Sequence, residues 1–211
     1  MNYINSYAHI KNNSVYVNGE EAFTYDKNAT INTFLSEAYH AINIVYPKFH
    51  KMDALCKLGL LCAEFALQNN PFITEHDLQK TAIILSNSSS SLETDKLYQH
   101  SISDKNNYFP SPTIFVYTLP NIIIGELAIK HKITGENAFF ITEKFDANLL
   151  VDYCEIILNN NATSAICGWV ELNEDSYEAI IFLVEKKYHP DKNSIFKPLN
   201  QQIVTQIYNQ T

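Results

Sequence analysis

Cysteine, serine, histidine and lysine are the side chains through which this sequence could supply a nucleophile or a base. The four cysteines, Cys56, Cys62, Cys154 and Cys167, stand in apolar contexts without a C-x-x-C pair, so they are predicted to be free, buried thiols of a reducing compartment. Ser88 to Ser91 offer four consecutive hydroxyls, but no G-x-S-x-G elbow surrounds them, and a flexible strand-to-helix loop is expected there. His9, His40, His50, His76, His100, His131 and His189 are scattered singly. Glu75 and His76 have no partner at zinc spacing, and Cys56-x5-Cys62 fits no usual site, so no metal is expected. Neither a G-x-G-x-x-G string nor a P-loop occurs, and no cofactor is expected.

Partner classes are narrowed by charge. The chain of 211 residues has a formal charge of −8, and all fifteen of its basic residues are lysine. Without arginine it lacks the bidentate fork that reads phosphates and base edges, so a nucleic-acid partner is not expected. No apolar run is long enough to span a membrane, and Met1 to Asn5 lack the basic start and apolar core of a signal peptide. The expected location is the cytoplasm. A hydrophobic fraction of 46% and a charged fraction of 18% fit one folded domain over residues 1 to 211.

Apolar patterning gives the elements that must position any site. Strands are predicted at 3 to 9, 82 to 85, 138 to 141, 164 to 172 and 177 to 188, and a small hairpin through Asn18-Gly19. Lys51 to Gln68 is apolar on nearly its whole circumference and should be a buried helix, stopped by Asn69-Asn70-Pro71. Further helices are expected from Leu92 to Ile102, from Asn121 to His131, from Ala147 to Leu158 with Asp146 as N-cap, and around Ile203, Val204 and Ile207. Pro110-Ser111-Pro112 should introduce an extended segment. Strands alternating with helices, two strands being apolar on both faces, indicate an α/β fold.

Two strings carry a family resemblance. One runs from Phe109 through Tyr117-Thr118-Leu119-Pro120-Asn121 into Gly125-Glu126-Leu127. The other is Gly135-Glu136-Asn137-Ala138-Phe139-Phe140-Ile141-Thr142, followed by a helix and then Ala165-Ile166-Cys167-Gly168. Their order is similar to that of β-ketoacyl synthases, and more closely to the short ketosynthase-like N-terminal domains associated with aryl-polyene and flexirubin-type pathways, to which Ser91-Leu92-Glu93-Thr94-Asp95 also belongs. The resemblance implies a thiolase-like N-terminal half, a mixed five-stranded sheet flanked by helices.

In that family a cysteine at the N-terminus of a helix holds the acyl chain, its thiolate favoured by the helix dipole. The resemblance puts Lys144 at this position, flanked by Glu143 and Asp146, and leaves the chain without the family's pair of catalytic histidines. Lys144 is expected to be a salt-bridged structural lysine and its two acidic neighbours capping carboxylates, so no catalytic residue is assigned. Tyr117, Asn121, Phe139, Phe140 and Phe145 become candidates for an acyl pocket or an interface. The expectation is a non-catalytic ketosynthase-like subunit of fatty-acid or polyketide-type biosynthesis, paired with a ketosynthase-type partner or with itself through residues 138 to 141. The alternatives are a 3-oxoacyl-ACP synthase completed by a partner chain, and an acyl-chain or carrier-protein binding module. An acidic acyl carrier protein needs a basic face, for which Lys130-His131-Lys132 is the local candidate.

Overall fold

The apolar runs pair edge to edge into a single mixed sheet. The computed structural model describes residues 1 to 68, 70 to 106, 108 to 174, 176 to 186 and 195 to 210. Among these, the strands are β1 (Tyr3–Lys11), β2 (Ser14–Val17), β3 (Glu20–Thr24), β4 (Thr81–Asn87), β5 (Asn137–Ile141), β6 (Ser164–Leu172), β7 (Tyr177–Glu185) and β8 (Lys197–Pro198). Their order is β3-β2-β1-β7-β6-β4-β5, with the two-residue β8 also on β1. The inner block, β1-β7-β6-β4-β5, contains the five strands expected from the sequence. The β2–β3 hairpin and β8 extend that sheet to eight strands among the described residues. β4 runs parallel to β5 and β6, whereas β6, β7 and β1 alternate in direction.

Helices cover both faces. They are α1 (Ile31–Ile42), α2 (Ala54–Leu67), α3 (Phe72–Glu75), α4 (Leu92–Ser103), α5 (Pro112–Val116), α6 (Ile122–His131), α7 (Ala147–Asn160) and α8 (Gln201–Gln210). α2 lies against β1, β6 and β7, with α1 and α6 packed on it. It is as buried as its composition demands: between Leu55 and Ala66 only Lys57 is not fully covered. α7 and α8 pack on the other face, where Cys154, Ile157 and Leu158 meet Cys167, Trp169 and Phe182. The β2–β3 turn uses Asn18 at φ 54° and Gly19 at φ +93°, the left-handed pair that a two-residue hairpin loop requires.

Two expectations change. Ser111 is extended, as a residue before proline should be, but Pro112 opens a helix instead of prolonging an extended segment. Ser111 Oγ accepts the amide of Ile114, capping that helix. The last long strand stops at Glu185, and Tyr188 and His189 lie outside the described residues, as does Asn69.

Gly125 sits on the exposed side of α6, where an added Cβ would meet nothing within 4 Å. Gly125→Ala is therefore expected to stabilise the protein by about 0.5–1 kcal/mol through lower unfolded-state entropy, raising Tm by about 2–4 °C in a thermal melt.

Candidate functional site

The parallel strands β4, β5 and β6 end on the same side of the sheet, the side on which open α/β sheets place their ligand sites. An open cleft of about 430 Å³ lies there. Ser88 and Ser89 line it from the turn after β4, Glu143, Lys144 and Phe145 from the turn after β5, and Trp169 and Glu171 from β6. Asn173 and Ser176 between β6 and β7, Tyr177 and Glu178 of β7, Lys11 and Asn12 at the end of β1, and Tyr208 of α8 complete the wall.

The β6–β7 register puts Glu171 directly opposite Glu178, two residues beyond the Trp169–Ile180 pair. With a strand period of two, both carboxylates share the α7/α8 face with Trp169 and Ile180. The two differ in how they are satisfied. Glu178 Oε1 lies 2.8 Å from His9 Nε2, and its Oε2 accepts the Tyr208 hydroxyl at 2.7 Å. Burial acts to raise the Glu178 carboxyl, but the bonds from His9 and Tyr208 and the charge of Lys11 outweigh it and hold it below the ordinary carboxylate value. Burial, followed by the Glu178 bond, pushes the Tyr208 hydroxyl well up. Glu171 is only 8% exposed. Its Oε2 accepts the backbone amides of Ser88 and Ser89 at 2.6 and 3.2 Å, while its Oε1 has no partner.

These bonds also define the serine run. Asn87 brackets Ser90, accepting its amide at 3.1 Å and donating to its carbonyl at 2.8 Å, and Ser90 adopts φ 54°. The expected flexible loop is a hydrogen-bonded turn whose amides, not hydroxyls, contact the Glu171 carboxylate.

Lys144 and Glu143 are exposed on the rim, and among the described residues neither takes part in an ion pair. The expected salt bridge is absent; Asp146 instead caps α7, its Oδ1 accepting the amides of Asn148 and Leu149 at 2.9 and 3.1 Å. Thr142 Oγ1 closes the turn on the Lys144 carbonyl. Asp146→Ala should therefore lower stability by about 1 kcal/mol, visible as a reduced midpoint in urea unfolding.

No thiol reaches the cleft. Cys62 donates to the carbonyls of Ala8 and Ala179 under α2. A thiol–thiol hydrogen bond to Cys167 on β6, together with burial, pushes the free Cys154 thiol on α7 well up. Burial and neighbouring Asp53 do the same to Cys56. Protonated, enclosed thiols of this kind are inert. Among the described residues no three His, Cys, Asp or Glu side chains gather as a metal site.

The sheet divides the remaining candidates. Tyr117 and Phe139 belong to the α2 face, where the Tyr117 hydroxyl donates to Glu126 Oε1 at 3.2 Å. Phe140 and Phe145 lie on the α7/α8 face, Phe140 edge-on to Tyr153 and Phe145 stacked on Tyr208 with ring centroids 4.0 Å apart. Asn121 is exposed ahead of α6. A single acyl pocket is thus not assembled from these five, and Phe145 is the one that lines the cleft. The basic run is also largely spent. Lys130 Nζ and His131 Nε2 lie 2.9 and 2.6 Å from the two oxygens of buried Glu64, leaving Lys132 as the run's exposed charge.

Pattern reading of the sequence missed Glu171, Glu178, His9 and Tyr208. A signal was present: Glu171 and Glu178 interrupt two apolar strands at mirror positions about the Asn173–Ser176 turn, a placement that opposes them once the hairpin closes.

No family model and no curated protein matches the sequence. Solved structures do match by shape. The chain is similar to the ishigamide ketosynthase/chain length factor with TM-score 0.64 and 14% identity, over 90% of this chain and 63% of that one. A ketosynthase in complex with its chain length factor from Xenorhabdus doucetiae matches with TM-score 0.56 and 12% identity, over 89% and 80%. A β-ketoacyl synthase from Burkholderia phymatum matches with TM-score 0.60 and 10% identity, over 88% and 59%. The thiolase-like, ketosynthase-type fold implied by the sequence resemblance is the fold of this chain, which spans 63% of the first neighbour's length.

Proposed function

We propose that this chain is a ketosynthase-like subunit without condensing activity of its own, which pairs through β5 with a ketosynthase-type partner of a fatty-acid or polyketide-type pathway. The observation that carries this reading is the turn from Thr142 to Asp146. It has the strand-turn-helix form that would activate a thiol, yet it presents an exposed lysine, and all four cysteines are buried elsewhere. A lysine ammonium at a helix N-terminus is disfavoured by the helix dipole and holds no acyl thioester.

The pairing surface is supported by the edge itself. β5 bonds to β4 on one side and to no strand on the other among the described residues. Ile129 of α6, Ile141 of β5 and Ile156 of α7 are each more than half exposed, on the strand and on the helices to either side of its sheet. An open edge that ends in an exposed isoleucine is a liability for a lone chain and an asset for a subunit. Two of the similar structures are a ketosynthase with a chain length factor, which makes a ketosynthase the partner of choice. Carrier-protein docking falls to that partner, since Glu64 neutralises most of the local basic run.

The test is intact-mass spectrometry after incubating the chain, alone and with the partner, with acyl-CoA and acyl-loaded carrier protein. The expected result is an acyl adduct on the partner and an unmodified mass here. A stoichiometric adduct on Lys144 would overturn the reading.

A further inference from the structure

We infer that the exposed apolar segment from Tyr108 to Leu119 is the second part of the pairing surface, packing against the helix layer of the same ketosynthase-type partner whose sheet joins β5. The inference rests on the pairing proposal and extends it.

It starts from a concentration of apolar surface. Tyr108, Phe109, Phe115, Val116 and Leu119 are each more than half exposed, Phe109 at 75%. α5 holds Ile114, Phe115 and Val116 among its five residues, yet none of the five is buried. At roughly 150–250 Å² per aromatic side chain, the three rings alone leave on the order of 300–500 Å² in water. Monomers rarely expose contiguous apolar patches beyond roughly a few hundred Å². The segment is also held in place. Pro110 and Pro112 restrict its backbone, and the Ser111 hydroxyl caps α5. Phe115 packs on Tyr98 with ring centroids 5.3 Å apart, and the Tyr117 hydroxyl donates to Glu126. A preorganised surface binds a protein at low ordering cost.

The β5 edge needs such an addition. A stable interface buries about 800 Å² on each partner. β5 has five residues, of which only Asn137 and Ile141 are fully exposed, so strand pairing alone falls short. Topology puts the two surfaces at one end of the sheet. Asn87 pairs with Ile141 and Ser86 with Trp169, so Val170 is level with Ile141. A Cβ added to Gly59 would touch both Ile123 Cδ1 and Val170 Cγ2, which sets the first turn of α6 at that level. α5 directly precedes this turn, and α6 packs on β4, the strand beside β5. A partner that continues the sheet past β5 brings its own helix layer toward α5 and α6.

Charge selects protein over lipid. No residue from Tyr108 to Leu119 is charged, and the chain carries a net −8. A helix seated on a bilayer would show lysines beside its apolar face. An aromatic-rich, charge-free surface is the composition of an interface core.

The experiment is hydrogen exchange read by mass spectrometry, on the chain alone and in its complex with the co-purified ketosynthase. Association is measured beside it for the double variant Phe109→Ser, Phe115→Ser and for Leu119→Ser. Slower exchange over residues 108 to 119 in the complex is expected, with at least tenfold weaker association of the double variant. Unchanged exchange over that segment, or full affinity in both variants, would overturn the inference. The exchange measurement needs no substitution, so a folding defect in a variant does not decide the result. If Ile141→Lys abolishes the complex while these readouts stay still, pairing through β5 stands and this extension falls. If no ketosynthase complex forms, both fall. Flotation of the parent, but not the double variant, with phosphatidylglycerol vesicles would reassign the segment to a membrane and overturn the inference.

Discussion

Gly168→Ala is expected to destabilise the protein by about 3 kcal/mol or more and to leave much of it insoluble on expression. Gly168 lies in the middle of β6, between β4 and β7, with Leu85 and Ile181 as its neighbours in register. An added Cβ would stand 2.1 Å from the Ile180 carbonyl oxygen and 3.0 Å from the Ile181 Cα. Both are backbone atoms of the adjacent strand, so no side-chain rotation relieves the contact, and β7 must move. The same two strands carry Glu171 and Glu178, so the clash reaches the cleft as well as the core. Guanidinium unfolding of whatever folds would measure the effect; an unchanged midpoint would mean that β6 and β7 are not paired in this register.

The second large effect is at Glu64. This carboxylate is 7% exposed on α2 and takes Lys130 on one oxygen and His131 on the other, both from the last turn of α6. Burial acts to raise its carboxyl, but the bonds and charges of His131 and Lys130 outweigh it and hold it below the ordinary value. Glu64→Ala leaves a largely buried ammonium unpaired and should cost about 3 kcal/mol. Replacing the pair with Glu64→Leu and Lys130→Met should restore most of that loss, because apolar packing substitutes well for a buried ion pair. The pH dependence has a definite sign. With the folded-state carboxyl depressed, Glu64 contributes its full stabilisation above the ordinary carboxylate range, about pH 4–5, and loses it as pH falls through the lower folded-state value. Glu178, also depressed, acts in the same direction. Unfolding midpoints should therefore drop on acidification below about pH 4.5, by less in Glu64→Ala than in the parent.

Glu64 also illustrates what sequence reading could reach. The elements whose signals are local were legible: the Asn18-Gly19 hairpin from two left-handed residues, α2 from its all-round apolar surface, β6 from an unbroken run, and the Asp146 cap from its place before a periodic stretch. α5 was not, because the restriction before proline governs Ser111 alone and leaves Pro112 free to start a helix. The neutralised basic run was beyond reach for a different reason. Lys130 and His131 stand adjacent in the chain, but the carboxylate that consumes them is 66 residues from Lys130 and is placed only by the packing of α2 on α6. His9 and Glu178, 169 residues apart, meet only because β1 and β7 are neighbours in the sheet. The cleft was half visible: its turn residues follow from the family resemblance, whereas the Glu171–Glu178 opposition needs the hairpin register.

Whether this chain is a partner subunit joined through β5 is decided by native mass spectrometry of the tagged protein purified from its host, beside Ile141→Lys. Ile141 ends the open strand and is 55% exposed, so a lysine there leaves the monomer intact while placing a charge in the proposed seam. The expected result is a one-to-one complex whose second component is a ketosynthase by peptide sequencing, and at least a hundredfold weaker association for the variant. A monomer or homodimer of this chain alone, or a ketosynthase complex that Ile141→Lys leaves unchanged, would contradict it.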